Sequence, residues 1–212
     1  MKKILLIVIA ASALFQSCKS DSTQPNSDIS SQINAFPKET LNADEQKSLL
    51  YMREEEKLAH DVYVTLYGKW NISIFSNISS SEQTHTNAVL ALLNKYSLTD
   101  PVGNNAVGVF TDTTLQKLYT QLVTQGSASL LEAFKIGATI EDLDIYDLNN
   151  AMRNVDNQDI TFVYNNLTKG SRNHLRSFYG QITGSGSTYS AQFISQSELE
   201  AIVNSPKETG SW

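Results

Sequence analysis

Over four long stretches of this chain, apolar residues recur at three- and four-residue spacing, the period of a helix with one buried face. The first stretch puts Leu49, Met52, Ala59, Tyr63 and Leu66 on one side. It opens at Asn42-Ala43-Asp44-Glu45, where Asn42 can cap and Glu45 can reach back as in a capping box, and it stops near Gly68-Lys69-Trp70-Asn71. The second runs from about Ser73 to Tyr96, with Ile78, Val89, Leu92 and Leu93 on its face, and ends before Asp100-Pro101. A third runs from about Ser127 to Arg153. The fourth, from about Gln158 to Ile182, dissolves into Gly184-Ser185-Gly186-Ser187. A short amphipathic helix from about Asp112 to Gln125 and a weaker one from Ser195 to Val203 complete an all-α prediction with no repeats and little strand alternation.

Connection lengths add the topology. Long helices one and two are joined tightly, as are three and four, so each pair is expected to be an antiparallel hairpin. About thirty residues separate the second helix from the third, enough to run the full length of a bundle. The expected architecture is a four-helix bundle over residues 42–183, two hairpins joined by a long crossover containing a short helix. A tail, 184–212, packs on the bundle or trails it.

Each apolar stripe is interrupted at mid-length by ionisable residues. Glu56 fills the gap between Met52 and Ala59, with Glu55 at the edge of the face and Glu54 pointing elsewhere. Glu82 and His85 stack three residues apart on the second helix. Glu141 and Asp144 stand between Gly137 and Leu148 on the third, and His174 between Gly170 and Phe178 on the fourth. One inward His or Glu is commonly a hydrogen-bonded core residue, but four aligned sets are a different matter. Burying several carboxylates costs several kcal/mol each unless they are paired. Either a multivalent cation neutralises them, or buried basic residues do. Arg53, Lys57, Arg153, Arg172 and Arg176 lie nearby, but helical phase puts most of them off the inner face, which favours the cation. Carboxylates with two imidazoles suit iron, manganese or zinc better than calcium. Five or six ligands exceed what one tetrahedral zinc needs and suit two ions.

Composition bounds the rest. With 41% hydrophobic and 18% charged residues, the chain is of globular type. Its formal charge is −6, and −8 without Lys2 and Lys3, which disfavours nucleic acid as a partner. Residues 1–18 have the layout of a processed leader, with Lys2-Lys3, then an apolar run from Ile4 to Phe15 too short to span a bilayer. Cys18 is the lone cysteine, and its place after Ser17 resembles the lipobox of bacterial lipoproteins, with Phe15 departing from the usual leucine. Ala11-Ser12-Ala13 offers an ordinary cleavage site instead. Both readings predict export to the cell envelope, and the first adds a membrane anchor through lipid on Cys18. Residues 19–41 are rich in Ser, Asp, Asn and Gln and read as a flexible tether. No Gly-x-Ser-x-Gly elbow, P-loop or dinucleotide glycine motif occurs, which argues against a hydrolase of those kinds.

The stretch Glu56 to Tyr63 is similar to the first-helix pattern Glu-x-x-Ala-Arg-x-x-Tyr of rubrerythrin-type bundles in the ferritin-like superfamily, with His60 where Arg is usual. Glu82-Gln83-Thr84-His85 matches the second-helix Glu-x-x-His. The runs MREEEKLAHDVY, NISSSEQTH, GATIEDLDIYDL and GSRNHLRSF resemble a bacterial ferritin-like family of unassigned function. The resemblance implies a carboxylate-bridged centre of two iron ions. Glu56 is then a terminal ligand, Glu82 and Glu141 bridge, and His85 and His174 are terminal imidazoles. It departs at Ser171, where a carboxylate is expected three residues before His174; Asp144 could substitute, and otherwise a single-ion centre results. Glu55 is a spare ligand, and Tyr63 and Tyr164 are either hydrogen-bond donors to the centre or simply core. The implied activity is peroxide or oxygen reduction or ferrous-iron oxidation, with a small-molecule oxidant as substrate. Because the chain has no Cys-x-x-Cys pair, electrons must come from a redox partner or from ferrous iron. The alternatives are a non-catalytic metal-binding lipoprotein, or an envelope interaction module whose inner polar residues fix helix register. A homodimer is compatible with an anchored N-terminus; a ferritin shell is not.

Overall fold

The computed structural model describes residues 29–210, and these are all-α, with no strand among them. The expected leader, the lipid-bearing Cys18 and residues 19–28 of the expected tether lie outside the described residues. The helices are α1 (Ile29–Ala35), α2 (Ala43–Trp70), α3 (Ser73–Tyr96), α4 (Thr113–Gly126), α5 (Leu130–Ala151), α6 (Gln158–Gly184) and α7 (Gln196–Val203), with a 3-10 turn at Met152–Asn154.

Local chemistry sets the ends. Asn42 accepts from the amides of Asp44 and Glu45, while the Glu45 carboxylate accepts from the Asn42 amide, so the capping box is present in both directions. Asn71 closes α2 in the left-handed region at φ 52°, and α3 starts two residues later. Ser97 ends α3 in the same way at φ 59°. Asp112, Ser129 and Ser195 cap α4, α5 and α7 through their side-chain oxygens.

α2 packs along α3 and α5 along α6, and the pairs α2/α5 and α3/α6 also touch. The segment 97–129 lies against α2 over much of its length. Asp100 pairs with Arg53, Thr111 donates its amide to Glu54 at 2.5 Å, Gly108 donates to Asp61 at 2.8 Å, and Trp70 donates to Gly126 at 3.0 Å. Glu54 does point away from the inner face, and this segment buries it.

The apolar core falls into two clusters. One gathers Leu58, Val62, Tyr63, Phe75, Phe134 and Phe178; the other gathers Leu49, Met52, Leu92, Leu148, Val163 and Leu167. On α2, α3, α5 and α6 alike, the residues between the two are ionisable and buried, so a polar layer crosses the core at one level.

One expectation needs correcting, and one left open is decided. The tether assignment of 19–41 fails for its second part, because 29–35 is helical, with Ile33 fully buried against α3 and α6. Lys95 donates to the carbonyls of Ile33 and Phe36 at 2.9 and 3.0 Å, and Phe36 packs on Phe162, so tertiary contacts stabilise a segment too short to hold helix alone. The tail, in turn, packs rather than trails. Asp142 on α5 accepts from the Tyr189 hydroxyl at 2.7 Å and from the Gln192 and Ile194 amides at 2.6 and 2.8 Å, while Arg172 and Arg176 pair with Glu208.

Candidate metal centre

One helical turn on each long helix supplies the layer. The i,i+3 pair Glu82 and His85 projects from α3, Glu141 and Asp144 from α5, Ser171 and His174 from α6, and Glu55 and Glu56 from α2; all are buried. His85 Nδ1 lies 2.7 Å from Glu82 Oε2 and 3.2 Å from Glu56 Oε2. His174 Nδ1 lies 2.7 Å from Glu82 Oε1 and 3.4 Å from Glu141 Oε2. Two ligand groups result, Glu56-Glu82-His85 and Glu82-Glu141-His174, the donor atoms within each lying within 4.8 Å of one another. Glu82 belongs to both and turns one oxygen toward each imidazole. Of the six residues expected to bind metal, five are thus brought together. Asp144 stands beside them but outside both groups.

Hydrogen bonding separates this layer from every other buried carboxylate in the described residues. Glu45, Glu54, Asp61, Asp142 and Asp159 all accept bonds from backbone amides or side-chain donors. The buried side-chain atoms without a hydrogen-bond partner are both oxygens of Glu55, Glu56 Oε1, Glu82 Oε1, Asp144 Oδ1 and His174 Nδ1, and all belong to the layer. Glu82 Oε1 and His174 Nδ1 are close, yet neither is aligned for a hydrogen bond. Close approach without alignment fits donors that converge on a shared cation, and an orphaned buried acceptor is otherwise costly. Nearby basic residues do not relieve it. Arg53 is bound to Asp100 and Thr86, Lys57 to Asp61 and the Ala106 carbonyl, Arg172 and Arg176 to Glu208, and Arg153 is exposed. The donor set, carboxylate oxygen with two imidazole nitrogens, fits a transition-metal ion better than a hard oxygen-seeking one.

In the metal-free protein, protons take the cation's place. Burial pushes Glu56 up to about 7 although His85 opposes the shift. Burial and neighbouring carboxylates raise Glu55 and Asp144 well above the usual range, and raise Glu141 as well. Burial works to lower both imidazoles, but the carboxylates more than reverse it: His174 rises to about 10 and His85 lies well above its ordinary value. Burial would raise Glu82 too, yet the two imidazoles hold it below the normal carboxylate range.

Supporting contacts position the donors. The Tyr63 hydroxyl donates to Glu141 Oε1 at 2.6 Å, leaving Oε2 toward His174. Tyr164 instead meets Ser48 at 3.0 Å and takes no part. His174 Nε2 meets the Ser81 hydroxyl at 3.1 Å, an outer bond that orients the ring and leaves Nδ1 inward. Ser171, read from sequence as a missing ligand, donates to Asp144 Oδ2 and holds that carboxylate in place.

Sequence reasoning placed Gly170 on the inner stripe but gave it no role at the centre, and a glycine inside a long helix was the available signal. A Cβ there would lie 2.5 Å from both Cε1 and Nε2 of His85, so only glycine leaves room for the ring. Gly170→Ala is therefore expected to displace His85 and weaken metal binding about 10–100-fold, on the scale of a lost outer-shell support. The metal-free protein should keep its melting temperature, since alanine also favours the helix by about 1 kcal/mol. Thermal melts with and without Co(II) check both halves.

A family model described as an uncharacterized protein domain (DUF2202) matches residues 45–206, a span that takes in every donor of the layer. An uncharacterized protein, MJ0754, from Methanocaldococcus jannaschii is 51% identical over 178 residues, which is 84% of this chain and 96% of that protein. The crystal structure of hypothetical protein MJ0754 from Methanococcus jannaschii matches with a TM-score of 0.80 at 52% identity, covering 81% of this chain and 98% of that one. On the extent of the matching span and the level of identity, this chain belongs to the DUF2202 family.

Proposed function

We propose that this protein is a metal-binding, ferritin-like four-helix bundle whose polar layer holds two transition-metal ions for redox chemistry on oxygen, peroxide or ferrous iron. Iron is the preferred metal, with manganese or zinc as alternatives. One observation carries the reading: the orphaned buried atoms gather in a single layer where Glu82 serves two ligand groups. Support for the bundle comes from the pairings across it, Glu56 with His85 and Glu141 with His174, and from the segment 97–129 lying along α2 as a crossover. In the same reading the domain is exported and anchored at the bacterial envelope through Cys18.

When bound, a pair of iron ions supplies electrons and Lewis acidity to the reaction. The chain's own residues do the rest. Glu56, Glu82, Glu141, His85 and His174 hold the ions, Tyr63 and Ser81 fix Glu141 and His174, and the apolar clusters on both sides of the layer exclude water. His174 borders a cleft of about 670 Å³ between α3 and α6, lined also by Asn77, Asn173 and Ser177, through which a small polar molecule reaches the layer.

The test is to load metal-free protein with Fe(II) under argon and follow peroxide consumption and iron oxidation. Rates clearly above buffer, abolished in His174→Ala, are expected; rates equal to buffer would sink the redox reading. One observation favours a second reading, metal binding without turnover: Asp144, expected to complete the second group, stands outside it with one oxygen held by Ser171. Tight binding without peroxide or iron chemistry would select that alternative.

A further inference from the structure

Glu55 belongs to neither ligand group, yet it is the least satisfied carboxylate of the layer. It is 3% exposed, and neither of its oxygens has a hydrogen-bond partner. Its neighbours are acidic: Asp144, with its own orphaned oxygen, and Asp147, one turn further along α5 and within side-chain reach of Glu55. Asp147 is half-buried, accepts from the Tyr51 hydroxyl at 3.4 Å, and lines a cleft of about 290 Å³ between α2 and α5. Asp44, Ser48, Tyr51 and Met52 share that cleft, and of all its lining residues only Lys47, itself exposed, is basic. Asp147 thus stands at the cleft, Glu55 is buried next to it, and Asp144 adjoins both Glu55 and the carboxylates of the two ligand groups.

We propose that this file of carboxylates is the entry path for divalent cations, with Glu55 passing the ion from Asp147 in the α2/α5 cleft to Asp144 beside the centre. The inference rests on the metal-centre reading and adds how the site is filled. Carboxylates with a purely structural role in this protein are saturated with donors, as Asp142 is by three residues of the tail. Glu55 is buried without such donors, a cost that a transiting cation relieves. Among the described residues, Glu55, Asp144 and Asp147 do not gather into a tight three-donor group as the two ligand sets do. Sites that attract a cation without caging it suit passage, because an ion must be able to leave each one. At the mouth, Asp44 and Asp147 repel anions and concentrate cations, which accelerates uptake and makes it sensitive to salt. The α3/α6 cleft differs in kind, since Arg176 and Lys207 line it together with His174. Cations and small-molecule substrates thus have separate doors.

The experiment follows Co(II) uptake by metal-free full-length protein through its visible absorption in stopped flow, then measures cobalt per chain at equilibrium. Glu55→Gln is expected to load at least about tenfold more slowly, because an amide cannot release a proton to receive the ion, and to reach the wild-type stoichiometry. Asp147→Asn, at a half-buried position that tolerates the change, should slow loading in the same direction, and Glu200→Gln, an exposed carboxylate far along the chain on α7, should not. Wild-type loading rates in both Glu55→Gln and Asp147→Asn would overturn the path. A lower endpoint in Glu55→Gln would overturn it differently, by making Glu55 a ligand. If wild-type protein itself takes up no cobalt, the metal-centre reading falls and the path with it, an outcome distinct from slow-path failure.

Discussion

Glu82→Ala is expected to abolish metal binding at both ligand groups together. Glu82 is the one residue the groups share, with an oxygen 2.7 Å from each imidazole Nδ1. His85→Ala, by contrast, removes a donor from the first group only and should leave the second able to bind. The loss in Glu82→Ala should exceed the roughly 10–100-fold typical of outer-shell substitutions. It can be read from thermal melts. A ligand at about 100 times its dissociation constant stabilises the folded state by about 2.7 kcal/mol, and that gain should vanish in Glu82→Ala. If the layer were only a network of internal ion pairs, Glu82→Ala would instead destabilise the protein by about 3–5 kcal/mol, whether or not metal is present. The comparison of metal-dependent with metal-independent loss separates the two.

The second large effect is an inverted pH dependence. In the metal-free protein Glu56 rises from 4.5 to about 7 and His174 from 6.5 to about 10, while His85, Glu55, Glu141 and Asp144 move upward too. A group raised on folding contributes stability that is present below its unfolded value and lost as pH climbs through its folded one. Glu82 alone runs the other way, since its lowered value contributes stability that is lost on acidification. The raised groups outnumber it, so the melting temperature of metal-free protein should fall between pH 5 and pH 9, by about 5–10 °C if the net change is a few kcal/mol. Metal binding requires those protons to leave, so the metal-bound protein should gain stability over the same range. Paired melts on chelator-treated and Co(II)-loaded protein check the sign. A metal-free curve that is flat or rising would mean the layer is not held together by protons.

Much of this was legible in the chain. Helix ends followed from Asn42 and Asn71, whose backbone chemistry is local, and the inward Glu and His residues stood out because they broke apolar stripes of clear period. What escaped depends on contacts between distant segments. Seven residues at 29–35, with only Ile29 and Ile33 spaced as a helical face, carry too little period to register, and their order comes from Lys95 and Phe162. The burial of Glu54 was not legible, because helical phase indicates which side a residue takes but not whether a connecting segment covers that side. Ser171 looked like a missing ligand because a one-dimensional pattern does not reveal that its hydroxyl meets Asp144 across two helices. The surroundings of Glu55, likewise, arise only when α2 and α5 pack.

The most direct test of the central claim is anomalous diffraction, at the absorption edge of the bound metal, from crystals of the metal-loaded protein. Two peaks are predicted, one among Glu56, Glu82 and His85 and the other among Glu82, Glu141 and His174, with Glu82 between them. A loaded crystal with no anomalous peak in the polar layer, its orphaned atoms hydrogen-bonded to water alone, would contradict the account.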